Sequence, residues 1–221
     1  MSTFSVTANN NSTLKSGYYG YSDYRYDANS AVAQQGYATA VRSCPRVGLI
    51  HFSGAGSTLK NKNISSITFT ITCTQAGYGS TSYKTLYIRK SNYQSINTSI
   101  ASASYVGDLL GTLYGIFYGN TVTHTLNSST NSALFANLKS YLEAGNSQIC
   151  IYNSETGSQY STNYLGITSI TMSVEYTEGG CVRIWDGSQW AKYIPYIWDG
   201  SQWVRYSPYI WDGSQWVLYG G

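Results

Sequence analysis

Two histidines, four cysteines and ten carboxylates make up the chain's short inventory of reactive side chains. His51 and His124 fall on separate predicted strands, with no His, Cys or Glu neighbour at ligand spacing. Each therefore reads as a strand residue rather than a metal ligand or general base. Cys44, Cys73, Cys150 and Cys181 are widely separated and form no Cys-x-x-Cys, so no zinc framework is visible. Cys73 shares strand parity with Ile67, Phe69 and Ile71, which predicts a buried thiol. No nucleophile elbow, His-Glu-x-x-His or P-loop can be read, and Gly54-Ala-Gly56 lacks the third glycine and the following helix of a phosphate loop. A glycosidase needs two facing carboxyl groups. Three carboxylates here sit in repeated turns, and a pair such as Asp108 and Glu155 is the kind that remains. The chain reads as a non-enzyme, with no metal and no cofactor.

The residues that do recur at fixed spacing are aromatic. Ile-Trp-Asp-Gly-Ser-Gln-Trp occurs at Ile184–Trp190, Ile197–Trp203 and Ile210–Trp216, a period of 13 residues that holds all 6 tryptophans. Asp-Gly-Ser-Gln between two tryptophans is a turn flanked by β-formers, which predicts a hairpin with a loop of two or four residues. Either loop pairs Trp185 with Trp190, Trp198 with Trp203 and Trp211 with Trp216. Ile184 then faces Ala191, Ile197 faces Val204 and Ile210 faces Val217 on the opposite side. Tyr196 with Arg205, and Tyr209 with Leu218, return to the indole side. Pro195 and Pro208 fall between hairpins, where a missing N–H does no harm. A two-stranded hairpin is marginal alone, so its faces need covering, by neighbouring hairpins in a solenoid or by other copies around an axis. The indoles are either a structural core or platforms for sugar stacking. A second aromatic set, Tyr18, Tyr19, Tyr21, Tyr24 and Tyr26, lies among Gly and Ser, a composition suited to a contact surface, a sandwich edge or a ligand site.

These side chains must be carried by strands. Charged residues are only 10 % of the chain and turn- and β-formers are spread throughout, which predicts an all-β protein. Ile64–Thr74 alternates, with Ile67, Phe69, Ile71 and Cys73 on one face and Thr68, Thr70 and Thr72 on the other. Residues 3–8, Val47–Phe52, Lys84–Lys90, Leu113–Tyr118, Thr121–Leu126, Ser147–Tyr152 and Ile167–Tyr176 complete about eight strands. Gly54-Ala-Gly56 opens a turn and polar loop, and Asp108–Gly111 reads as a turn. Leu134, Phe135, Leu138, Tyr141 and Leu142 recur at helical spacing, with N-cap candidates in Ser128–Ser132 and a stop at Gly145. This is expected to be the one helix. The expected fold is a jelly-roll β-sandwich with one short helix, followed by a tail of three tandem β-hairpins. Three regions follow: 1–44, a strand and Tyr-rich segment packing on or joining the sandwich; 45–180, the sandwich; and 181–221, the repeats.

The net charge of +3 is dispersed, which excludes a nucleic-acid face, and no apolar run is long enough to span a membrane. The N-terminus lacks a basic start and apolar core, so the expectation is synthesis without a signal peptide and folding in a cytoplasm.

The order Pro45-Arg-Val-Gly-Leu-Ile-His-Phe52, Ile64-Ser-Ser-Ile-Thr-Phe, Leu86-Tyr-Ile, a short helix and the strand Ile167–Tyr176 resembles the DNRLRE and carbohydrate-binding-module jelly rolls of bacterial surface and phage virion proteins. The Trp-Asp-Gly-Ser-Gln-Trp tail resembles the C-terminal repeats of phage tail- or head-fibre proteins, and more distantly the tandem repeats of cell-wall-binding modules. These resemblances imply a non-enzymatic virion appendage, assembled in the bacterial cytoplasm. Its partners would be itself as a homo-oligomer, expected as a trimer, other virion proteins and a host-surface glycan. The alternative they imply is a carbohydrate-binding module at the bacterial cell surface.

Overall fold

A computed structural model of the chain describes residues 1–8, 12–15, 25–27, 32–38, 44–76, 82–95, 100, 102–154, 163–178, 182–193, 195–206 and 208–218. Among these, the strands before the tail are β1 (Ser2–Thr7), β2 (Ser12–Lys15), β3 (Arg25–Asp27), β4 (Ala33–Ala38), β5 (Cys44–His51), β6 (Lys62–Ala76), β7 (Lys84–Ser91), β8 (Val106–Ile116), β9 (Thr121–Leu126), β10 (Gln148–Ile151) and β11 (Leu165–Glu178). The helices are α1 (Ala55–Leu59), α2 (Ser102–Tyr105) and α3 (Ser132–Glu143).

Every ladder is antiparallel. One layer runs β1-β11-β6-β9 and the other β5-β10-β7-β8. The outermost strands in sequence pair with each other, and the pairing nests inward through β5–β10 and β6–β9 to β7–β8, which is jelly-roll order. Strand β4 joins the layers. Its residues Ala33, Gln34 and Gln35 pair with β11, and from Gly36 onward it pairs with β5. The result is an all-β sandwich whose sheets form one nearly closed, barrel-like surface, open only between β8 and β9.

Period-two patterning explains the core. Ile67, Phe69, Ile71 and Cys73 of β6 are buried against Ile170, Met172 and Val174 of β11. The outward row is hydroxyls. Thr68, Thr70 and Thr72 meet Thr125, Thr123 and Thr121 of β9 at 3.1, 3.4 and 2.8 Å between hydroxyl oxygens. Thr7 and Thr171 meet likewise at 2.7 Å. On the other sheet Val47, Leu49 and Cys150 point outward and are covered by Tyr105 of α2, with Ile100 and Val106, as a small second core.

Helix α3 fills the open seam. The five residues expected at helical spacing are its buried residues. Asn137 and Asn131 donate from their side-chain amides to the carbonyls of Leu110 and Thr112 on edge strand β8, occupying backbone acceptors that an exposed edge would leave open. Gly111 lets the helix approach, since a Cβ there would lie 2.7 Å from Leu134 Cβ.

The N-cap of α3 falls within the expected Ser128–Ser132, at Asn131, in a left-handed conformation with no side-chain cap; Asn127 accepts from the Ser129 and Thr130 N–H groups, and Asn131 reaches to β8. Three expectations need correction. Asp108–Gly111 is not a turn but part of β8, because β7 supplies a ladder through it with bulges. The segment after Gly54 is not a loop: α1 is a short helix that buries Ala55 and Leu59, and α2 is a second helix, each too short for periodicity to register. Finally, eleven strands rather than about eight enter the main sheet, β2, β3 and β4 being the additions.

Candidate functional site

The tail follows the predicted register residue for residue. Strands β12 (Val182–Trp185) and β13 (Trp190–Tyr193), β14 (Tyr196–Trp198) and β15 (Trp203–Arg205), and β16 (Tyr209–Trp211) and β17 (Trp216–Leu218) form three separate two-stranded sheets. Trp185 pairs with Trp190, Trp198 with Trp203 and Trp211 with Trp216; Tyr196 pairs with Arg205 and Tyr209 with Leu218. Ile184 with Ala191, Ile197 with Val204 and Ile210 with Val217 fall between them on the opposite face.

The loop has four residues, and the sequence dictates its shape. In the first hairpin Asp186 N–H donates to the Gln189 carbonyl at 3.0 Å, while Asp186 Oδ1 accepts from Ser188 N, Ser188 Oγ and Gln189 N at 2.9, 2.8 and 2.9 Å. The pattern repeats around Asp199 and Asp212. Gly187, Gly200 and Gly213 have φ of 101°, 105° and 104°, a region in which a side chain is strained. These bonds hold all three aspartate carboxyls below the ordinary range; the Gln N–H is the largest cause, followed by the Ser N–H and hydroxyl.

Loop closure sets the indoles edge to face. The rings of Trp198 and Trp203 are 5.8 Å apart at 65°, and those of Trp211 and Trp216 are 5.8 Å apart at 63°, a favoured aromatic geometry. Yet pairing within a hairpin buries little. Trp198 stays 54 % exposed, Trp203 65 % and, on the other face, Ile197 48 %. Trp185, Trp211, Trp216, Tyr196, Tyr209, Ile184 and Ile210 are exposed as well. No ladder links one hairpin to the next among the described residues. In the single chain, therefore, the indoles of Trp185, Trp198, Trp203, Trp211 and Trp216 are neither a core nor covered by a solenoid of neighbours. Trp190 and Arg205 are placed by register on the indole face.

The Tyr-rich set lies largely beyond the described residues: Tyr18, Tyr19, Tyr21 and Tyr24 fall outside them, and Tyr26 is placed only by its backbone pairing with Leu14. The first strand of that region, β1, pairs with β11 along its length. His51 and His124 stand on different layers, on β5 and β9. Burial lowers the pKa of each. His124 pairs with Phe69, on the row that Val122 and Leu126 share. Cys73 is a buried thiol as expected; Cys150 is buried too, and burial pushes its thiol up to about 12. An open groove between β8 and α3 is lined by Lys90, Asp108, Leu109, Asn137 and Tyr141. The Tyr141 hydroxyl is committed inward, donating to the Gln148 carbonyl and accepting from Ser91 N and Gln94 Nε2.

No family model matches the chain, and no curated protein matches it.

Proposed function

We propose that the chain is a non-enzymatic structural protein of a phage virion, a tail or head appendage that works as a homo-oligomer in assembly and host-surface attachment. The observation that carries this reading is the exposure of both faces of all three hairpins, with five of the six indoles about half or more exposed in the single chain. Alternating Trp/Tyr and Ile rows have too much apolar surface for a two-stranded ribbon that stands alone. Copies packed about an axis, expected as a trimer, would cover one face and leave the other for a partner or a glycan. Attachment then rests on many weak contacts multiplied by copy number. The low charge, hydroxyl-rich sandwich face and tandem repeats fit the same role.

Sedimentation of the full chain across a concentration series tests this. A closed oligomer is expected, weakened by Ile197→Asp with Ile210→Asp or by Trp198→Ala with Trp211→Ala. A monomer at every concentration, with tail tryptophans as shielded as an oligomer requires, would remove the reading. The second reading, a carbohydrate-binding module, is favoured by the same exposed indoles. It is supported if the Trp198→Ala, Trp211→Ala chain keeps the wild-type oligomeric state but loses binding on a glycan array.

A further inference from the structure

Beside the seam that α3 closes, an open groove of about 560 Å³ runs between β8 and α3, a volume within the range of small-molecule sites. Both walls follow from the sequence. Lys90 continues the inward row of Leu86 and Ile88 past the end of the core and pairs with Ile149 of β10. A lysine there must bring its head group out to water, and it does so into the groove, where Nζ meets Asp108 Oδ2 at 3.0 Å. The β7–β8 register slips on both sides of Arg89, and such bulges re-aim the side chains around them. From the helix, Asn137, Ser140 and Ala144 follow at the three- and four-residue steps that share one face. Ser140 and Ala144 are small and exposed, which keeps the groove open. Asn146 lies just past the helix and completes the lining.

The hydrogen-bonding capacity left in this groove is one-sided. Asn137 Nδ2 donates to the Leu110 carbonyl at 2.9 Å and Asn146 Nδ2 to the Tyr141 carbonyl at 2.8 Å. Each amide is thereby oriented, and its oxygen is left over. Asp108 Oδ2 is taken by Lys90, which leaves Oδ1. Among the described residues none of these three oxygens has a hydrogen-bond partner. The donors beside them are the Ser140 hydroxyl and the remaining N–H bonds of Lys90. Charge narrows the ligand further: Lys90 cancels Asp108, so neither an anion nor a cation gains by entering. Three acceptors, one ammonium and the apolar surface of Leu109 and Ala144 suit a neutral molecule rich in hydroxyls that also has a C–H face. We infer that the groove between β8 and α3 is a binding site for a neutral saccharide unit. Its hydroxyls donate to Asp108 Oδ1 and to the Asn137 and Asn146 oxygens, and one of its oxygens accepts from Lys90 Nζ. The use of such a site rests on the attachment reading above, which it deepens by placing a glycan on the sandwich. No residue of the tail takes part, so either reading can fail alone.

The test is saturation-transfer NMR of the full chain with glucose, galactose, mannose and N-acetylglucosamine, with glucuronic acid as the charged control and a titration of whatever binds. Wild type is expected to bind at least one of the four neutral sugars, and more tightly than glucuronic acid. Asp108→Ala removes an acceptor at an exposed position, and Ser140→Tyr fills the groove from the helix. Each should weaken binding at least tenfold, the scale of a lost hydrogen bond to a charged group, without moving the melting temperature of the sandwich. Asp108→Ala decides alone if Ser140→Tyr lowers that temperature. Trp198→Ala with Trp211→Ala should bind as wild type does. No binding of any neutral sugar by wild type overturns the site, as does glucuronic acid bound equally well, or binding that survives Asp108→Ala. Binding lost only in the tryptophan variant also overturns it and puts the glycan on the tail. A chain that binds through the groove yet sediments as a monomer keeps the site and loses the oligomer.

Discussion

Asp186, Asp199 and Asp212 show how one side chain can fix a repeat. Each carboxylate collects three donors from the two residues that close its loop, so the ionised form is favoured when the loop is closed. A carboxyl whose folded pKa is depressed contributes stability above its unfolded value, and that contribution is lost as pH falls through the folded pKa. Indole pairing in the tail should thus hold down to about pH 4 and decay below it, since free Asp titrates near ~3.9. The exciton signal of paired tryptophans in circular dichroism reads this directly, and Asp199→Asn should flatten one hairpin's share of the change. The sandwich has a different window. His51 and His124 are shifted downward by burial, so the unfolded state takes up protons first. The melting temperature of the main fold should begin to fall below about pH 6.5, the ordinary histidine value, and His124→Gln should reduce that slope. Tyr141 offers a third residue-scale outcome. Removing its hydroxyl in Tyr141→Phe strands Ser91 N and the Gln148 carbonyl in a buried setting, at a cost of about 1–3 kcal/mol, measurable by urea denaturation.

Among elements, α3 decides whether the sandwich is sealed. It lies across the seam between β8 and β9, with Leu138 and Leu142 fully buried and two asparagines bonded to the β8 edge. Glu143 at its C-terminal end accepts from Ile64 N and from Lys139, which also reaches the Ile64 carbonyl, tying the helix to the start of β6. Gly111→Ala places a Cβ against Leu134 and forces helix and strand apart; a loss of about 1–3 kcal/mol is expected from overpacking. Leu138→Ala should cost about 2–5 kcal/mol as a cavity substitution. Hydrogen exchange would place both effects in β8 and α3 first. What could be read beforehand followed from period and turn chemistry. The five buried residues of α3, the two faces of β6 and β7, and each Trp pair carry a signal within a dozen neighbouring residues. What escaped needed distant partners. Asp108–Gly111 looks like a turn until β7 supplies its ladder, α1 and α2 are shorter than the window in which a helical period shows, and β4 divides its pairing between two layers.

For the molecule as a whole, the contrast lies between a sandwich that covers its apolar core and a tail that leaves its apolar rows exposed. The sandwich encloses its apolar residues, covers its open seam with α3 and turns paired hydroxyls outward on one sheet. The tail exposes Trp203 at 65 % and Ile197 at 48 % on opposite faces of one ribbon, and three such ribbons follow one another without a shared ladder among the described residues. If assembly covers these faces, the stability of the tail must depend on protein concentration while that of the sandwich does not, because association stabilises by mass action only what it binds. Two transitions are therefore expected in thermal unfolding. The one followed by tryptophan fluorescence, which reports only the tail since every tryptophan of the chain lies there, should move upward with concentration. The one followed by tyrosine absorbance, dominated by the region before the tail, should stay fixed. Ile197→Asp with Ile210→Asp should erase the concentration dependence of the first and leave the second unchanged. A tryptophan transition that ignores concentration in wild type would mean that the hairpins are stable as single ribbons, and the exposed rows would then need an explanation other than assembly.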